Sequence, residues 1–94
     1  MKYKIDYTKK FKKQYKLLQR QGKDLNKLHN IIEKLASEVQ LDVKYRNHLL
    51  INNKYFKNCM ECHIEPDWLL VYQVFDKELI LLLVETGSHS DIFK

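Results

Sequence analysis

Three histidines, His48, His63 and His89, and one turn carboxylate, Asp67, fall in the second half of this 94-residue chain. Imidazole titrates near pH 6.5, so it gives or takes a proton near neutrality without a perturbed environment. Histidines gathered beside a carboxylate therefore suit acid–base cleavage of a phosphodiester, where one group deprotonates a nucleophile and another protonates the leaving oxygen. Most of them sit in two short segments, Glu61-Cys62-His63-Ile64-Glu65-Pro66-Asp67-Trp68 and Thr86-Gly87-Ser88-His89-Ser90-Asp91-Ile92-Phe93. The segments also bring two aromatics, Trp68 and Phe93.

Strand parity sharpens the reading around His63. Glu61, His63 and Glu65 share one face of an extended segment and Cys62 and Ile64 the other, so burying Cys62 and Ile64 turns His63 outward with two carboxylates. His29 stands apart. It falls beside Leu25, Leu28 and Ile32 on a helical stripe, where a boundary histidine is ordinary and no partner completes a site.

Cys59-Met60-Glu61-Cys62-His63 also matches the C-x-x-C-H pattern of covalent haem attachment. Residues three apart in a strand project to opposite faces, so the two sulfurs would not meet one cofactor. The same geometry argues against a zinc site from Cys59, Cys62, His63 and His89. The expectation is two reduced cysteines packed as small hydrophobes.

The elements that must position these groups are legible from periodicity. Tyr3, Ile5 and Tyr7 alternate with polar residues as a half-buried strand. Thr8 caps a helix over residues 9–20 carrying Phe11, Tyr15 and Leu18, which Gly22 ends; Asp24 caps a second helix with Leu25, Leu28, Ile31, Ile32, Leu35 and Val39 on its stripe. The short connection makes these an antiparallel hairpin. Residues 55–64, 68–75 and 79–85 read as three strands with turns at Pro66-Asp67 and Asp76-Lys77, an antiparallel meander. The unbroken apolar run at residues 79–84 predicts that the last of them is the central strand, buried on both faces. A single α+β domain over residues 1–94 follows, with the helices on one face of the sheet.

Charge is divided unevenly. Thirteen Lys or Arg oppose five Asp or Glu in residues 1–47, against four and seven in residues 48–94, within a net charge of +5. The basic half, with Lys9, Lys10, Lys12, Lys13 and Lys16 on its first helix, reads as a footprint for a polyanion, nucleic acid before others. Lysines outnumber arginines fifteen to two, which favours phosphate attraction over base readout. No apolar run is long enough for a membrane span and none resembles a leader, so a cytoplasmic protein without membrane contact is expected.

At these residues the chain resembles the YafQ branch of the RelE-like toxins of bacterial type II toxin–antitoxin systems. Tyr45-Arg46-Asn47-His48, the run from Glu61 to Tyr72 and the terminal Thr-Gly-Ser-His-Ser-x-x-Phe carry the likeness, with the strand and helix order around them. The resemblance implies a RelE-like fold and a ribosome-dependent mRNA endonuclease held inactive by a cognate antitoxin. Such an antitoxin is a small DNA-binding protein with an acidic tail, and operator DNA is reached only through it. His48, His63, Asp67 and His89 fall on the family's acid–base positions, and Trp68 and Phe93 on positions that support the site or contact mRNA. The ribose 2′-OH attacks the adjacent phosphate, and neither a metal nor another cofactor is implied.

The chain departs from that pattern in its cations. Glu85 stands where the family usually carries an arginine before Thr-Gly, Met60 replaces another, and Asn52-Asn53-Lys54 lengthens the path from His48 to His63. Arg46 and Lys57 are then expected to help neutralise the phosphate, and Glu85 to lie near the histidines and favour their cationic form. Two other readings remain: a ParE-like toxin that binds a target such as gyrase without chemistry, and an unrelated basic RNA-binding module.

Overall fold

The structure, a computed structural model, describes residues 2–93. Strand β1 (Lys4–Tyr7) leads into helices α1 (Lys9–Arg20) and α2 (Leu25–Ala36), a 3-10 turn (Val43–Tyr45), and strands β2 (His48–Leu49), β3 (Met60–Glu65), β4 (Trp68–Phe75) and β5 (Ile80–Gly87), closing with helix α3 (His89–Ile92). The five strands form one sheet in the order β1-β5-β4-β3-β2. β1 runs parallel to β5 and the remaining pairs are antiparallel.

Both long helices start on the caps their sequences supply: Thr8 Oγ1 accepts from the Phe11 N–H and Asp24 from the Asn26 N–H. Their apolar stripes cover one face of the sheet. Phe11, Leu18, Leu28, Ile31, Ile32 and Ala36 pack there with Cys62, Ile64, Trp68, Leu70, Tyr72, Leu81 and Leu83. Between the helices the Tyr15 and His29 rings stack, 5.8 Å apart and 6° from parallel, with the Tyr15 hydroxyl 2.7 Å from His29 Nε2. His29 therefore has a structural partner far along the chain from the other histidines.

The opposite face of the sheet has a smaller cover. Phe56 and Cys59 from the segment after β2, with Ile92 of α3, pack on Leu69 and Val71. Covered on both sides, β4 is buried continuously from Trp68 to Tyr72. It, and not the strand expected from the apolar run, is the centre of the sheet. In β5 burial alternates from Ile80 to Val84, Leu81 and Leu83 being buried and Ile80, Leu82 and Val84 partly exposed, because the second cover lies over β4.

A strand over residues 55–64 is likewise shortened to β3. Asn52 and Asn58 take positive φ angles of 54° and 57°, and Asn53 Oδ1 accepts from the Tyr55 and Phe56 N–H groups. Asparagine supports such side-chain-stabilised turns, so the stretch becomes a covering loop. Cys59 packs beneath this loop and Cys62 beneath the helices. Both thiols are free, and burial pushes that of Cys62 up to about 12.

Candidate active site

Cross-strand register assembles the site. His48 of β2 lies opposite Glu61 of β3, and His63 opposite Leu69, which is itself opposite Gly87 of β5. The chain then turns into α3, bringing His89 over the end of this row: the His63 and His89 ring centres are 5.7 Å apart. Gly87 has φ of 153°, and a Cβ there would come 3.1 Å from Asp91 Oδ2. That oxygen is occupied, because Asp91 and Ser88 form the capping box that starts α3. Only glycine fits both the conformation and the contact.

Glu61 is the centre of one half of the site. Its Oε1 lies 3.5 Å from His48 Nε2 and 3.4 Å from His63 Nε2, with only 6% of the side chain exposed. The other nitrogen of each ring meets a backbone carbonyl, His48 Nδ1 at 2.5 Å from Arg46 O and His63 Nδ1 at 3.3 Å from Pro66 O. A carbonyl only accepts, so each Nδ1 holds the hydrogen and each Nε2 is turned to Glu61. Glu61 Oε2 is buried without a hydrogen-bond partner among the described residues. Leaving a buried carboxylate oxygen unsatisfied is costly, which sets Glu61 apart from the other carboxylates of the sheet.

Asp67 and His89 are the other half. Asp67 Oδ1 accepts from the His89 backbone N–H at 2.9 Å and from ring Nδ1 at 3.0 Å. These bonds, the backbone one foremost, hold the Asp67 carboxyl below its usual range. They also fix the tautomer, leaving His89 Nε2 as the exchanging atom.

The expected supporting residues divide. Trp68 is buried and its Nε1–H donates to Thr86 Oγ1 at 3.0 Å, which in turn donates to the Leu69 carbonyl at 2.8 Å; it props the floor of the site. Phe93 stands edge-on to Phe56 and 6.0 Å from the His89 ring. Arg46 acts first through its backbone: its left-handed conformation, φ 49°, turns the carbonyl onto His48. Lys57 is exposed, and its carbonyl accepts from Gln73 Nε2.

Glu85 is not beside a histidine. Its carboxylate is held by Gln14 Nε2 at 2.9 Å and Lys10 Nζ at 3.4 Å, both from α1, because β1 stops at Leu83 of β5 and α1 closes over the strand beyond it. Glu61 takes the place expected of Glu85. Glu65 leaves the face of His63 as well. A register shift between His63 and Glu65 breaks the parity, and Glu65 pairs with Lys23 and Lys27 instead. Lys9, Lys10, Lys12, Lys13 and Lys16 are all exposed on α1.

Known proteins resemble this chain along nearly its whole length. Residues 3–94 match the family model described as the bacterial toxin of type II toxin–antitoxin system, YafQ. The mRNA interferase toxin YafQ of Escherichia coli K12 is 34% identical over 90 residues, spanning 95% of this chain and 94% of that protein. A metal-bound toxin from Helicobacter pylori superposes with a TM-score of 0.89 at 43% identity, covering 97% of this chain and 99% of the other. YafQ in the E. coli DinJ–YafQ complex superposes with a TM-score of 0.86 at 33% identity over 98% of this chain and 99% of its own. The chain has the RelE-like fold and belongs to the YafQ family of toxins of bacterial type II toxin–antitoxin systems.

Proposed function

We propose that this toxin is an endoribonuclease that cuts mRNA on the ribosome by metal-independent acid–base chemistry. The observation that carries it is the pairing of two differently held proton carriers, His63 on Glu61 and His89 on Asp67, 5.7 Å apart. Glu61, reached through the His48 and His63 rings, accepts the proton of the ribose 2′-OH. The 2′ oxygen bonds to phosphorus, the P–O5′ bond breaks, and His89 Nε2 delivers a proton to the departing 5′ oxygen. The products are a 2′,3′-cyclic phosphate and a 5′-hydroxyl end. Protonated rings, Arg46 and Lys57 supply positive charge while Glu85 is neutralised on α1, and Phe93 supports the reacting nucleotide. Preorganised charge of this kind is commonly the largest catalytic contribution.

The exposed lysines of α1, Lys9, Lys10, Lys12, Lys13 and Lys16, suit contact with ribosomal RNA. A cognate antitoxin, a small DNA-binding protein with an acidic tail, holds the toxin inactive and links it to operator DNA, and the pair works in the cytoplasm. No helix among the described residues is long and apolar enough to cross a membrane.

Expression without the antitoxin tests the reading. Growth and translation stop, mapped mRNA ends carry 5′-hydroxyls, and His63→Ala or His89→Ala relieves the arrest. A folded His48, His63, His89 triple-alanine variant as toxic as the parent overturns it in favour of a toxin that binds a target such as gyrase without chemistry.

A further inference from the structure

A groove of about 700 Å³ opens beside His63, between α2, the 3-10 turn and the end of β3. It exists because β2 is only two residues long. It pairs with Met60 and Glu61, so beyond them the outer edge of β3 has the 3-10 turn and α2 beside it rather than a strand. Ile31, Ile64, Tyr45 and Pro66 give the groove an apolar and aromatic lining.

Its rim is cationic. Lys34 projects from α2, Lys44 and Arg46 from the 3-10 turn and its cap. Among the described residues none of the three has an acidic partner, whereas Glu65, one of the two carboxylates on the lining, is already matched by Lys23 and Lys27. The other is Glu33. Three cations without an acidic partner, Lys44 among them with its Nζ 5.1 Å from the centre of the Tyr45 ring, beside an apolar wall fit single-stranded RNA, whose phosphates take the cations and whose bases take the wall.

We infer that this groove is a substrate subsite that holds the nucleotides flanking the cleaved phosphate and feeds the strand to His63. The inference rests on the ribonuclease reading and deepens it. Continuity decides the occupant: His63 lines one end of the groove and its ring, turned to the other face of β3, belongs to the Glu61 cluster, so a strand leaving the groove around the edge of β3 is led to the histidines. Lys34 and Lys44 are then binding residues, and neither touches the reacting atoms.

The test compares the parent with a Lys34→Gln, Lys44→Gln double variant. Both side chains are exposed, so the unfolding midpoint should be unchanged. The probe is a fluorescently labelled ten-nucleotide single-stranded RNA, fully 2′-O-methylated so that it is not cut. Losing two phosphate contacts should weaken binding about tenfold near 0.15 M salt and lower the slope of log K against log salt by about 1.4. With translated mRNA, KM should rise by a similar factor while kcat stays within about twofold. Equal affinity and equal slope in parent and variant overturn the subsite. So does a variant that keeps its RNA affinity but no longer co-purifies with the antitoxin, which would assign the groove to that partner. A parent that binds the RNA yet cuts no mRNA removes the ribonuclease reading and leaves the binding groove standing; a parent that cuts, with a variant that binds as tightly, does the reverse.

Discussion

One oxygen of Asp67 takes both the backbone N–H and the ring Nδ1 of His89, at 2.9 and 3.0 Å. The turn between β3 and β4 thereby sets the start of α3 and the tautomer of the ring at its first residue. Asp67→Asn removes the charge and offers an amide that can donate to Nδ1 instead. Because an amide donating to Nδ1 fixes the neutral Nε2–H tautomer and no longer supports the imidazolium that gives up its Nε2 proton, kcat should fall about 100-fold with KM little changed. Single-turnover cleavage of a translated mRNA measures this.

The same contacts give a pH dependence with a definite sign. The folded Asp67 carboxyl is held below its ordinary value of 3.8, first by the backbone bond from His89. A group depressed on folding adds stability above its unfolded pKa and loses it as pH falls through the folded one. The difference in thermal midpoint between parent and Asp67→Asn should therefore be constant from neutrality down to about pH 5 and shrink on further acidification. A difference that grew toward low pH would mean that the carboxylate is not stabilised by His89.

Trp68 and Thr86 supply a stability prediction independent of catalysis. The Thr86 hydroxyl receives the Trp68 Nε1–H and donates to the Leu69 carbonyl, all within the buried centre of the sheet. Thr86→Val keeps the volume and strands both partners, which should cost about 2–4 kcal/mol in urea unfolding. Thr86→Ser keeps both bonds and should recover most of that loss.

The secondary structure that holds the site was largely legible, because caps and stripes are local signals. Thr8 and Asp24 opened the two helices where expected, and the alternation of Cys62 and Ile64 correctly put His63 on the other face. What local pattern does not carry is pairing. Nothing in residues 48–49 announces a strand, and without β2 the contact of His48 with Glu61 has no basis, so Glu61 stayed a neighbouring carboxylate when it is the hub of the cluster. Glu65 was misplaced by a register shift that only the β3–β4 ladder reveals. The parallel pairing of β1, which ends short of Glu85, likewise decides that this carboxylate meets α1.

Glu61 gives the sharpest separation of chemistry from folding. Its Oε1 faces two imidazole nitrogens and its Oε2 faces none among the described residues. Glu61→Gln preserves shape and leaves an amide in the same pocket, so the unfolding free energy should change by no more than about 1–2 kcal/mol. Cleavage should nonetheless fall by about 100-fold or more, since an amide takes no proton from the 2′-OH. The kinetic profile adds a readout that a structural role would not move: kcat should fall while KM stays within about twofold. Stability and activity measured on one preparation decide it. A Gln variant that cuts at the parental rate with the parental profile would return the proton-accepting role to the histidines alone.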